Sequence, residues 1–500
     1  MSHPSRTKHL TTLAAAAALV LTGGLTPSAR AAEPPSHLSN DTVWKDTDGN
    51  PILAQGGNVL KVGNTYYWVG QALVAGQPKA INLYSSTDLE NWTFEKAILK
   101  QDGSEPYLTY PLWLGRPQLV QRPDGTFVLV AEVDNGVRNR NQILFATSDT
   151  VDGTYTPTGA PQEVNGNTTG DHSVFVDGDK AYLVYVGDHL RGDQKQFNQT
   201  VNVAPLTDDW TGVEPAVYTE WYAHKEAPAV LKAGGKYYLF GSGLDYWNAT
   251  PTSYRASSTL GGWDKSVAWK QVTTSPSSGN SFGTQFEQII PVVGQNGTTS
   301  YLYNGDRYSQ FYGKGAPAPG GVGQNAWYPL AFEGGEPVLH GWTDVDVDAA
   351  AGTLTGNRVA NGRFDQDVVG TRIPHWNTTK ANGAVRAEES QLGDSRRQLA
   401  LWDDAPYTSW VNQEVALPDG TYELSFDYRS SGGQNSAYVE VKGHGGQTNP
   451  RVYLSHVQNT WATKKVTFEV SSGKANLGVW TDSPAGKWLN IDNVAVWPAA

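Results

Sequence analysis

Short apolar runs, alternating with polar residues and broken by glycine turns, dominate this chain. Ala229-Val230-Leu231 leads to a turn at Gly234-Gly235 and returns through Tyr237-Tyr238-Leu239-Phe240. Such a run, a Gly turn and an aromatic-apolar return predict a β-hairpin. The pattern occurs five times. Gln55-Gly56-Gly57-Asn58-Val59-Leu60 precedes Tyr66-Tyr67-Trp68, and Gly115-Arg116-Pro117-Gln118-Leu119-Val120 precedes Phe127-Val128-Leu129. Asp171-His172-Ser173-Val174-Phe175-Val176 precedes Ala181-Tyr182-Leu183. The copy with Glu226 at its head follows, and Gln285-Phe286-Glu287-Gln288-Ile289-Ile290 precedes Tyr301-Leu302. The heads recur about every 55–60 residues. Each hairpin leads to another short strand and a polar turn with an aromatic residue, as in Leu83–Trp92 and Ala256–Trp263.

Three or four short strands per repeat, with no convincing helix between them, predict an all-β chain that opens with a five-bladed β-propeller. A β-sandwich with chance similarity between its hairpins is the alternative. In a propeller the innermost strand of each blade lines the central channel. The five heads, Gln55, Gly115, Asp171, Glu226 and Gln285, should therefore meet at one axial funnel.

The blade pattern is expected over 43–352 and stops at Asp348-Ala349-Ala350-Ala351-Gly352. From 356 to 500, alternating segments such as Thr421-Tyr422-Glu423-Leu424-Ser425-Phe426 lie between Gly, Asn and Pro turns. They predict a second antiparallel domain, a β-sandwich or jelly roll. Residues 1–31 read as a secretory signal peptide: Arg6, Lys8 and His9, an apolar run from Leu10 to Leu25, then Ala29-Arg30-Ala31. That run is too short and interrupted for a membrane span. Residues 32–42 are expected to be a loose Pro/Ser-rich leader, and the protein is expected to be secreted and monomeric.

Composition narrows the partners. With 0 Cys, neither disulfides nor thiol chemistry can contribute. Removing the leader takes Arg6, Lys8 and Arg30, leaving 34 of 37 Lys+Arg against 49 Asp+Glu. An acidic chain argues against nucleic acid or an anionic membrane as partner. The 18 Trp and 24 Tyr suit stacking on the apolar faces of sugar rings.

Two carboxylates facing one pocket are the minimum for glycoside hydrolysis: one protonates the leaving oxygen, the other acts on the opposite face. Glu226, with Pro228 fixing the backbone just after it, reads as the general acid. Asp171, one blade away, would raise its pKa.

Secreted origin, five blades, Asp171 on the third inner strand and Glu226-Ala227-Pro228 on the fourth resemble glycoside hydrolase family 43. Asp46-Thr47-Asp48-Gly49-Asn50-Pro51, Tyr66-Tyr67-Trp68-Val69-Gly70, Tyr84-Ser85-Ser86-Thr87-Asp88-Leu89, Ser242-Gly243-Leu244 and Asn304-Gly305-Asp306-Arg307 are similar to its branch of exo-β-1,3-galactanases and galactofuranosidases. The resemblance implies an exo-acting hydrolase removing galactose or a related unit from arabinogalactan-type polysaccharide, with inversion. It implies Glu226, Asp171 and Gln285 as catalytic residues, with Gln285 holding the attacking water. Gln55 stands where most of the family carries its Asp base. Gly115 stands where the branch usually carries an acid, a charge that Glu132 or Asp134 could supply. Gln55, Arg116, Glu132, Trp247, Asp306 and Arg307 are the expected substrate contacts.

Residues 356–500 resemble galactose-binding-like carbohydrate-binding modules, with Trp402, Tyr407, Trp410 and Trp480 as sugar contacts. No organic cofactor is implied; a structural Ca²⁺ in this domain would fit the resemblance. Two other functions stay open: an α-L-arabinofuranosidase or β-xylosidase on the same scaffold, and a glycan-binding protein that has lost catalysis.

Overall fold

The computed structural model describes Met1 and residues 35–499, except 75, 135–140, 167, 192–193, 246, 309–323, 367–372, 380–382 and 391–396. The expected signal peptide lies outside the described residues. Within them, strands carry nearly all regular structure, joined by a single 3₁₀ turn at Ser281–Gly283.

Five sheets follow one another between Val59 and His340, antiparallel throughout except where Thr273–Ser275 pairs parallel with the last strand of the fifth. Their first strands are Val59–Val62, Leu114–Gln121, Thr168–Asp177, Glu226–Ala233 and Gln285–Val293. Neighbouring first strands touch in chain order. The ring closes where Asn304 Nδ2 of the fifth sheet donates to Gly57 O ahead of the first, at 3.1 Å. These first strands are the inner strands, and the architecture is the expected propeller. Large apolar cores lie between successive blades; one gathers Trp68, Trp92, Ile290, Leu302 and Trp327.

The stretch expected to be a loose leader is ordered from Ser36. Ser36–Ser39 forms a strand paired antiparallel with Asp344–Asp348, which pairs in turn with Thr353–Asn357. Asn40 is fully buried and bonded to the carbonyls of Trp327 and Trp342. His37 Nδ1 meets Asp346 Oδ1 at 2.7 Å. A Pro/Ser-rich segment reads as loose because its partner strand lies some 300 residues away and leaves no local trace.

Beyond Asn357 two five-stranded sheets pack face to face. They share a core of Val411, Leu424, Tyr428, Val439, Val479 and Ile491, among others. This is the expected β-sandwich.

Candidate active site

The sequence gives the inner strands one habit in common. Near its head the pairing register slips: between Gly115 and Gln118, Thr169 and His172, Glu226 and Ala229, and Phe286 and Gln288. A β-bulge bends a strand and re-aims the side chains around it. Arg116 and Ala227 hold left-handed φ of 47° and 48° at these places. The bulges turn Arg116, Asp171, Glu226 and Glu287 toward the same space.

Arg116 sits at the centre. Its Nε and Nη2 reach Asp171 Oδ1 and Oδ2 at 2.8 and 2.9 Å, a two-pronged pairing. Its Nη1 pairs with Glu287, and its backbone N–H donates to Gln71 Oε1 at 3.0 Å. Asp171 Oδ2 also accepts the Ala227 N–H at 2.9 Å. That bond fixes the backbone beside Glu226, whose Oε1 accepts from Gln285 Nε2 at 2.6 Å. Four inner strands are thus laced together by charge-assisted hydrogen bonds.

The electrostatics suit an acid. Burial first, and the charge of Asp171 second, push the Glu226 carboxyl up to about 8, against the opposing pull of Arg116 and Gln285. Burial also raises Glu287, against the guanidinium beside it. Arg116 stays charged: burial works against it, but Asp171 and Glu287 raise it well above its ordinary value. His172, fully buried behind Asp171, is lowered to about 3 by burial and Arg116 and is neutral.

The wall beside Arg116 explains Gly115. A Cβ there would lie 2.2 Å from Gln71 Oε1 and 2.6 Å from the Trp113 ring. An acidic side chain at this position has no room. Carboxyl groups stand on both flanks instead: Glu287 pairs with Arg116, and Glu132 is the residue paired with Gly115. Trp113 continues into an aromatic wall, its ring 6.0 Å from Trp247, which lies 5.1 Å from Tyr308.

Asp171, Glu226 and Gln285 therefore meet as expected, and Trp247 lies on the wall. Gln55 stands next to them, bridged to Gln71, but is almost wholly buried. Four expected substrate contacts do other work. All three guanidinium nitrogens of Arg116 are engaged by carboxylates. Glu132, 3 % exposed, accepts from Trp113 Nε1 at 2.9 Å and from Asn141, so it anchors the wall from behind; burial raises it to about 7. Asp306, 1 % exposed, accepts the Gly56 N–H at 2.6 Å and supports the backbone after Gln55. Arg307 donates to Asn40 O at 2.8 Å and Tyr328 Oη at 3.0 Å, inside the joint with the N-terminal strand. Asp134, the other candidate for the missing charge, lies at the end of its strand opposite Asn141.

Glu287, Gln71 and Trp113 were not expected. Glu287 had a signal, an acid two residues after Gln285 at the head of the same strand.

In the C-terminal domain Tyr407 is a core residue, 3 % exposed, its hydroxyl on Leu401 O at 2.7 Å. Trp402 lies under the Arg386 guanidinium, 4.2 Å from its ring centre. Trp410 and Trp480 face each other across two strands, and Tyr438 and Tyr453 continue the row. Directly paired residues share a sheet face. The flanking Val411, Val439 and Val479 point into the core, so the row faces outward. Among the described residues no group of three or more His, Asp or Glu gathers that could hold a metal ion.

Residues 49–316, more than half of the chain, match the family model "Glycosyl hydrolases family 43". No curated protein matches the chain. Among solved structures, the exo-β-1,3-galactanase of Phanerochaete chrysosporium with galactose aligns at a TM-score of 0.57 and 22% identity, over 91% of this chain and 100% of that one. The exo-β-1,3-galactanase of Clostridium thermocellum aligns at 0.56 and 22%, over 92% of this chain and 99% of that one. At these identities the likeness is one of fold.

Proposed function

Because the chain belongs to glycosyl hydrolases family 43, and so is a glycoside hydrolase, we propose that it is an exo-acting enzyme removing terminal galactose from β-1,3-linked galactan of the arabinogalactan type. The observation that carries this reading is the buried, proton-retaining Glu226 held by Gln285 and flanked by the Arg116–Asp171 pair. The two galactanases of the same fold support the choice of sugar. The chemistry needs no organic cofactor. The leader-like N-terminal sequence supports secretion.

Glu226 gives its proton to the glycosidic oxygen. Its Oε1 accepts from Gln285, so the proton is carried on Oε2. Asp171 is no free nucleophile: both its oxygens are taken by Arg116 and one also by the Ala227 N–H. A covalent intermediate on Asp171 is disfavoured, and direct attack by water with inversion follows. Gln285, which donates one amide N–H to Glu226, offers its carbonyl oxygen to orient that water. The water adds to the anomeric carbon as the bond to the leaving oxygen breaks, and its proton passes to solvent.

The purified chain is expected to release galactose as the sole monosaccharide from β-1,3-galactan, and none from arabinan or xylan. Release of arabinose or xylose instead would transfer the site to those sugars. Release of nothing, with binding retained, would make the protein a lectin.

The outward row Trp410–Trp480–Tyr438–Tyr453 supports glycan binding by the C-terminal domain. Trp480→Ala is expected to weaken adsorption to β-1,3-galactan about tenfold, the size of one lost stacking contact. Adsorption isotherms that coincide with wild type would remove the row from binding.

A further inference from the structure

An exo-acting enzyme holds one sugar in its funnel, and the rest of the polysaccharide must leave past the general acid. What it passes over can be read from topology. Tyr218–Trp221 is the last strand of the third sheet and Glu226 opens the inner strand of the fourth. The connection 222–225 therefore runs over the funnel face from the rim of one blade to the head of the next. Five residue steps separate Trp221 from Glu226, at most about 17 Å.

Trp221 is 52 % exposed and Tyr222 is 65 % exposed. Among the described residues Trp221 is the only tryptophan so open to water. The two rings lie 6.2 Å apart, and that of His224 lies 6.5 Å from Tyr222. The segment is held firmly. Tyr222 and His224 adopt left-handed φ of 59° and 49°, strained for residues other than glycine. Such strain persists where the surroundings over-determine it, and clusters at binding sites.

Those surroundings are visible. Glu220, next to Trp221 and 7 % exposed, accepts from Arg255 Nε and Nη2 at 3.0 and 2.6 Å, from Tyr218 Oη at 2.6 Å and from Trp269 Nε1 at 3.1 Å. Strand alternation points Glu220 inward and Trp221 outward. Lys225, at the other end of the connection, donates to Ser253 Oγ at 3.3 Å. A large apolar surface exposed on a rigid, polar-anchored base marks a binding surface rather than a packing remnant.

We propose that Trp221 and Tyr222 form a stacking ledge for the leaving-group side of the substrate, carrying the second and third sugar units of a neutral polysaccharide beyond the scissile bond. The inference rests on the galactanase reading above. The ledge gives the enzyme a preference for chains over short glycosides without any contact to the unit being cleaved.

The test compares kcat/KM on β-1,3-galactotriose with kcat/KM on p-nitrophenyl β-galactoside, which lacks the second and third units. The wild-type ratio should fall about tenfold in Trp221→Ala and severalfold in Tyr222→Ala. Thermal unfolding of each variant identifies any loss of fold. Well-folded variants that keep the wild-type ratio would overturn the ledge while leaving the galactosidase reading intact. A wild type that hydrolyses neither substrate would overturn that reading and the ledge with it.

Discussion

Glu226→Gln is expected to lower kcat on β-1,3-galactobiose by about 10³-fold, within the range that general acid catalysis supplies. The substitution is nearly isosteric, and the amide can still meet Gln285, so substrate binding should change little. What disappears is the proton for the leaving oxygen. A galactoside whose leaving group departs as a stable anion should therefore lose less than the disaccharide. The pH profile adds an independent sign. Burial and Asp171 raise the Glu226 carboxyl to about 8, so it is protonated and competent below that pH. In the wild type kcat/KM should fall above pH 8, tenfold per unit, as the acid ionises; in the variant this alkaline limb should vanish. Full activity of Glu226→Gln, or a limb that survives in it, would move the acid elsewhere.

The second large effect is structural. Arg116→Met should destabilise the propeller by about 3–5 kcal/mol, the usual result of removing one partner from a buried ion pair. Arg116 is 5 % exposed, and its loss leaves the buried carboxyl of Glu287 and the part-buried one of Asp171 without the cation that both pair with. The pH dependence gives the sign. Without Arg116, the main pull against the burial that already raises Glu287 is gone, and only the hydrogen bond with Tyr308 still lowers it. A carboxyl whose folded pKa lies above its unfolded value binds more protons when folded, so it costs stability as pH rises above the unfolded value. The deficit of the variant should thus shrink toward pH 5 and grow toward pH 8. Adding Glu287→Gln to Arg116→Met should recover part of it. Urea unfolding followed by tryptophan fluorescence at the two pH values measures this. A deficit independent of pH and of residue 287 would mean that Arg116 acts by packing alone.

How far the sequence disclosed this molecule depends on whether a feature is local. Hairpins announce themselves within a dozen residues through Gly234-Gly235 or Asp124-Gly125, so the five inner strands and the meeting of Asp171, Glu226 and Gln285 could be inferred from repetition. Direction along a strand could not. Asp306 and Arg307 are neighbours, yet one supports Gly56 and the other ties down Asn40, because the strand ends at Asp306 and the chain turns away at Arg307. Bulges were equally hidden, since an extra residue leaves no mark on composition; they bring Arg116 onto the carboxylates of Asp171 and Glu287. Tyr407 reads like an exposed aromatic because its neighbours are polar, but its hydroxyl finds a backbone acceptor inside the core. The order in Ser36–Asn40 depends on chain far downstream.

That last pairing bears on how the protein comes to be folded. Ser36–Ser39 is synthesised before any blade, yet its partner, Asp344–Asp348, appears only after all five. A growing chain must carry this strand unsatisfied through the making of the whole propeller, and contacts of such sequence separation impose a high contact order and slow folding. The blades can form one after another, but the joint between Ser36–Ser39 and Asp344–Asp348 has to wait. The pairing of Ser36–Ser39 thus waits until all five blades have been made.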